Sequence, residues 1–121
     1  MGVKVLTVRI KNLRLRTYIG FNEDEREKRQ DLAINVRFDY AAEKAADTDD
    51  VTYAVNYKTI TKSIIAFVEG NQFLLLEKLA SDILELVMQN ADIQYAEVEV
   101  DKPHALRFAD SVSAAVSASR E

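Results

Sequence analysis

Between Asp31 and Tyr40 the chain alternates without a break. Leu32, Ile34, Val36, Phe38 and Tyr40 fall on one side, and Asp31, Ala33, Asn35, Arg37 and Asp39 on the other. Successive side chains of an extended strand point to opposite faces, so this stretch reads as a strand with one apolar face. A similar pattern precedes it from Val3 to Leu15, with Leu6, Val8 and Ile10 opposed to Thr7, Arg9 and Lys11. Two more strands close the chain. Ala96, Val98 and Val100 alternate with Glu97, Glu99 and Asp101; then Val112, Ala114, Val116 and Ala118 alternate with Ser111, Ser113, Ala115 and Ser117.

Between the two pairs of strands the period changes. Ile60, Ile64, Phe67 and Val68 form a helical stripe, with Asn56 as its N-cap and Gly70 suited to its end. Leu76, Leu79, Ala80, Ile83, Leu86 and Val87 form a second, ending near Asn90. The order strand-strand-helix-helix-strand-strand predicts an α+β architecture, an antiparallel sheet covered on one face by a helix pair. The first and last strands carry no Pro, and bare sheet edges pair with something. Closure across subunits into a ring or barrel is therefore expected.

Composition narrows the chemistry. At 121 residues, 48% apolar and 30% charged, the sequence suits one globular domain. With no Cys and a single His, disulfides, thiolate catalysis and zinc held by several imidazoles are excluded, and no metal is expected. A net charge of −4 argues against wrapping nucleic acid. No apolar run is long enough for a membrane span, and no charged-then-apolar leader begins the chain, so a cytoplasmic protein is expected.

Several residues invite a functional reading. Glu77 follows the apolar run Phe73–Leu76 and falls in the first turn of the second helix. There it either serves helix electrostatics or, beside an apolar wall and free N–H groups, binds a flat ligand rich in donors. Tyr57, at the start of the first helix, reads as a core tyrosine ahead of a site phenol. Lys102 is held extended by Pro103 and is either an exposed strand end or, aimed into a cleft, a general base or anion anchor. Arg9, Lys11, Arg14 and Arg16 read as a solvated strand face before a phosphate stripe. Gly20 marks a turn, and the run Glu23–Arg29 reads as a solvated loop from which one carboxylate could point inward. Asp47–Asp50 form an acidic connection without the central Gly and distal Glu of a calcium loop.

Taken together, Tyr18-Ile19-Gly20 with Glu25, then Tyr57, then Leu75-Leu76-Glu77-Lys78-Leu79-Ala80, then Lys102-Pro103, resemble the dihydroneopterin aldolase family. The likeness spans almost the whole chain. The segments Asn12–Thr17, Asp101–Arg107 and Ala109–Ser113 look closest to its epimerase branch, whose members invert C2′ of 7,8-dihydroneopterin triphosphate. The resemblance implies a tunnelling fold: four subunits share a barrel, two barrels stack into an octamer, and sites lie between subunits. It implies that Glu77 holds the amino-pyrimidinone edge of the pterin, helped by backbone groups around Leu76. Lys102 would be the central acid–base group, Tyr57 would reach in from a neighbouring subunit, and Glu25 would lie near the side-chain hydroxyls. No cofactor is implied, because the dihydropterin N5=C6 imine accepts the electrons of the breaking C1′–C2′ bond. Arg14, Arg16, His104 and Arg107 are candidate contacts for the triphosphate, by charge and by adjacency to these motifs, although His104 could equally fill a structural hydrogen-bonding role. An aldolase, a non-catalytic pterin-binding module and a nucleic-acid or scaffold protein using the basic first strand are the alternatives.

Overall fold

A computed structural model describes residues 4–120. In chain order its elements are β1 (Val5–Ile19), α1 (Glu23–Glu27), β2 (Gln30–Ala41), α2 (Glu43–Thr48), a 3-10 turn (Val51–Tyr53), α3 (Tyr57–Glu69), β3 (Gln72–Phe73), α4 (Leu76–Met88), β4 (Ile93–Pro103) and β5 (Ser111–Ser119). The strands form one sheet in the order β3-β1-β2-β4-β5. Every pairing is antiparallel except β1 with β3. The expected α+β arrangement holds, with α3 packed on β1 and α4 on β4 and β5.

The core follows the periodicities. Leu32, Ile34, Val36, Phe38 and Tyr40 of β2 are all buried, as are Ile60, Ile64 and Val68 of α3 and Leu79, Ala80, Ile83 and Val87 of α4. Each large apolar side chain removed from water contributes roughly 1.5–3 kcal/mol, so this interlock holds the helices to the sheet. Asn56 caps α3 as expected, its side-chain oxygen accepting from the Lys58 and Thr59 N–H groups at 3.0 and 3.3 Å. No helix among the described residues is long and apolar enough to cross a membrane.

The first strand differs from its expected form. It continues past Leu15 to Ile19, and Val3 lies outside the described residues. Its register slips between Ile10 and Leu13, where Asn12 adopts a φ of 52° and its N–H donates to Asn35 Oδ1 at 2.9 Å. A bulge adds one residue and so reverses the alternation beyond it. Leu13, Leu15, Thr17 and Ile19 thereby continue the face begun by Val8 and Ile10. Arg14 and Arg16 are turned onto the polar face with Arg9.

Three connections also gain structure. The charge run contains α1, whose Glu25 carboxylate accepts from the Asn22 N–H at 3.4 Å, the return half of a capping box. The acidic connection carries α2 and the 3-10 turn, with Asp49 left-handed at φ 56° between them. The segment before α4 forms β3. It is fixed by the buried Thr17 hydroxyl, which lies 2.7 Å from the Val68 carbonyl and 2.9 Å from that of Asn71. Those carbonyls belong to the end of α3 and the turn after it, so Thr17 ties the helix exit to the sheet.

Both outer edges are open. β3 covers β1 only at Tyr18 and Ile19, leaving β1 from Val5 to Thr17 without a second neighbour; β5 likewise has none among the described residues.

Candidate active site

Three parts of the chain meet at one end of the sheet. β1 ends at Ile19 and turns at Gly20, whose N–H donates to the Phe73 carbonyl of β3 at 3.0 Å. Gly20 has a φ of 130°, and a Cβ built there would collide with the Glu25 carboxylate. Only glycine permits both the turn and the close approach of that side chain. Lys102 arrives from the far end of β4. Val100 pairs with the buried Ile34, and Lys102, two residues further along the strand, projects on the same apolar, helix-covered face.

Its ammonium meets Glu25 at 2.5 Å, with side chains only 13% and 18% exposed for Lys102 and Glu25. Gln30 completes the group, its amide donating to Glu25 Oε2 at 3.3 Å and to the Ile19 carbonyl at 2.5 Å. The hydrogen bond from Lys102 holds the Glu25 pKa below the usual carboxylate range, against the opposing effect of burial. A half-buried carboxylate thus holds an ammonium whose free-amine form can take up a proton and return it. Glu25 is the inward carboxylate of the charge run. Gln30 carries no distinguishing pattern in the sequence, and only its contact with Glu25 reveals it.

Glu77 lies at the same end, four residues beyond Phe73, in the first turn of α4. Its N-cap, Leu75, has no polar side chain to satisfy the first-turn N–H groups. Leu74 and Leu75 are 57% and 46% exposed and form an apolar wall beside them. Carboxylate, free N–H groups and apolar surface together suit a flat heterocycle with donors and acceptors along one edge.

The other expected residues are dispersed. Tyr57 is 53% exposed, which overturns its reading as a core tyrosine. It starts α3, whose far end leads to β3, so about 18 Å of helix at 1.5 Å per residue separates Tyr57 from the site on its own chain. Arg14 and Arg16 stand on the sheet face opposite Lys102. They line a groove of about 720 Å³ with Asp31, Asp101 and Asp110, and Arg16 is paired to Asp31 at 3.1 Å. His104, left-handed at φ 65°, and Arg107 sit in the exposed loop between Pro103 and Ser111. Leu76, the first residue of α4, is half-buried against the core.

The sequence pattern of the family described as dihydroneopterin aldolase (FolB) matches residues 8–117. The chain belongs to the dihydroneopterin aldolase family. Within that family it is 54% identical over 117 residues to the dihydroneopterin triphosphate 2′-epimerase of Escherichia coli K12, covering 97% of this chain and 98% of the relative. It is 31% identical over 103 residues to the dihydroneopterin aldolase of Haemophilus influenzae, covering 85% and 87%. Among solved structures, the E. coli dihydroneopterin aldolase in complex with neopterin superposes with a TM-score of 0.88 at 28% identity, over 93% of this chain and 97% of that one. This is the tunnelling fold of the family, which agrees with the expected architecture.

Proposed function

We propose that the chain epimerises C2′ of 7,8-dihydroneopterin triphosphate by retro-aldol cleavage and re-addition. The observation that carries the chemistry is the Glu25–Lys102 pair at the end of the sheet from which α4 departs. The choice of epimerisation over net cleavage is supported by 54% identity to an epimerase against 31% to an aldolase.

In this reading Glu77 accepts hydrogen bonds from the amino-pyrimidinone edge, and the first-turn N–H groups around Leu76 donate to its acceptors. The pterin side chain then extends toward Lys102. Lys102, oriented by Glu25 and acting as the free amine after releasing its ammonium proton to solvent, takes the proton of the 2′-hydroxyl. The C1′–C2′ bond breaks, its electron pair moves into the N5=C6 imine, and the same proton is delivered to N5. The products held in the site are an enamine and a phosphorylated two-carbon aldehyde. Rotation of the aldehyde and reversal of the same transfers re-form the bond on its other face, giving the threo isomer. The substrate itself supplies the electron sink, so the scheme calls for neither cofactor nor metal.

Tyr57 enters from a second copy in this scheme, as its distance from Lys102 along α3 requires. The open edges of β1 and β5 support ring closure, and two stacked rings of four make the octamer. A triphosphate substrate, unable to cross a membrane, fits a cytoplasmic enzyme, and each single-domain chain contributes Glu25, Glu77 and Lys102 to one site and Tyr57 to another.

Chirally resolved product analysis tests this reading. Dihydroneopterin triphosphate should yield the threo isomer faster than free 6-hydroxymethyl-7,8-dihydropterin. Cleavage product alone would replace the epimerase by an aldolase, and no product from folded protein would leave a binding module.

A further inference from the structure

The polar face of the sheet separates the four cations that charge alone groups together. From the cross-strand registers, Arg14 lies in line with Ala33 and Asp101, whereas Lys102, the residue after Asp101, falls on the other face with Val100 and Ile34. A strand's alternate side chains face opposite ways, so Arg14 and Arg16 look away from the site that holds Lys102. Their groove also carries Asp31, Asp101 and Asp110, two guanidiniums against three carboxylates, and one Asp101 oxygen is buried there without a partner among the described residues. A polyanion gains little from such a surface.

The loop after Lys102 is different. Lys102 pairs with Val112 and Pro103 with Ser111, so residues 104–110 form a hairpin loop that begins two residues after Lys102. Its Arg107 and His104 side chains belong to no ion pair among the described residues. The Arg107 guanidinium lies over the Phe108 ring at 5.6 Å, and Phe108 is itself 96% exposed. Stacking on a ring face restrains the planar fork and leaves its in-plane N–H donors free for phosphate oxygens. His104 is left-handed at the entry to the loop.

We propose that this hairpin loop, through Arg107 and His104, recognises the phosphate chain of the substrate, with Phe108 positioning Arg107, and that Arg14 and Arg16 take no part. The proposal rests on the epimerase reading and names the phosphate subsite within it.

The test compares kcat/KM for dihydroneopterin triphosphate and for unphosphorylated dihydroneopterin in five single variants: Arg107→Gln, His104→Asn, Phe108→Ala, Arg14→Gln and Arg16→Gln. Asn tolerates the left-handed backbone at position 104. Arg107→Gln should lower the triphosphate value by about ten- to a hundredfold, the weight of a charged hydrogen bond, mostly through KM. It should leave the unphosphorylated substrate within about twofold. His104→Asn and Phe108→Ala should act in the same sense, more weakly. Arg14→Gln and Arg16→Gln should leave the ratio of the two substrates unchanged. Equal losses on both substrates in Arg107→Gln, no loss in it, or a shifted ratio in Arg14→Gln or Arg16→Gln would overturn the assignment. A wild type that epimerises neither substrate would overturn the epimerase reading along with it, whereas a wild type active on both confines a failure to the loop.

Discussion

Replacing Gly20 by Ala should damage the site from the backbone side. Two costs add. Holding an L-residue at the observed φ of 130° costs about 1–2 kcal/mol. The new Cβ also occupies the space of the Glu25 carboxylate, which must leave Lys102 and Gln30. At 13% and 18% exposure that ion pair lies between the exposed case, about 0.2–1 kcal/mol, and the buried case, about 3–5 kcal/mol; about 2 kcal/mol is a fair middle value. Gly20→Ala should therefore cost about 3–4 kcal/mol in the wild-type background. With Glu25→Ala already present there is no carboxylate to displace, and the same change should cost only the backbone part. A double-mutant cycle by urea unfolding at fixed protomer concentration should thus give a coupling of about 2 kcal/mol. Equal losses in both backgrounds, within about 0.5 kcal/mol, would refute the reasoning.

Other consequences follow from the same contacts. Thr17→Val removes the hydroxyl that serves the Val68 and Asn71 carbonyls and should destabilise by about 1–3 kcal/mol, whereas Thr17→Ser should retain most of the stability; chemical denaturation distinguishes them. Because the Glu25 pKa is lowered on folding, the unfolded chain binds the extra proton first. Its stabilising effect is complete above the ordinary carboxylate value of about 4.3 and is lost as pH falls through the lower folded value. The stability difference between wild type and Glu25→Gln, followed against pH, should shrink over that acidic window and stay constant above it. Glu77 is exposed, so Glu77→Gln should alter stability by no more than about 0.5 kcal/mol, yet weaken neopterin binding about ten- to a hundredfold in a fluorescence titration.

Much of this architecture is legible in the sequence because burial and period coincide. The apolar positions of β2 and most of those of α3 and α4 enter the core where the pattern puts them. The β1 bulge is legible too, in retrospect: the apolar phase slips between Ile10 and Leu13, and Asn12 is a residue type that accepts positive φ. Asn22 three residues before Glu25 is a capping-box spacing that announces α1 inside what reads as a charged loop. β3 is different in kind, since two residues have no periodicity and their pairing depends on Thr17 and Gly20 across the fold. The site divides along the same line. Glu77 and Lys102 stand out by their local setting and Glu25 by resemblance, and all three share one end of the sheet. The opposite facing of Arg14 and Arg16 follows from the bulge and strand register together, and the approach of Glu25 to Gly20 from a long-range fold contact. Neither is encoded in local spacing.

Proton transfer at Lys102 is the step on which epimerisation depends. Lys102→Met keeps the apolar stem while removing the amine, so the most direct measurement is its turnover beside its pterin affinity in the same folded preparation. The variant should bind neopterin within several-fold of wild type and form both threo isomer and cleavage product at least about a hundredfold more slowly. Wild-type turnover by folded Lys102→Met would contradict the mechanism.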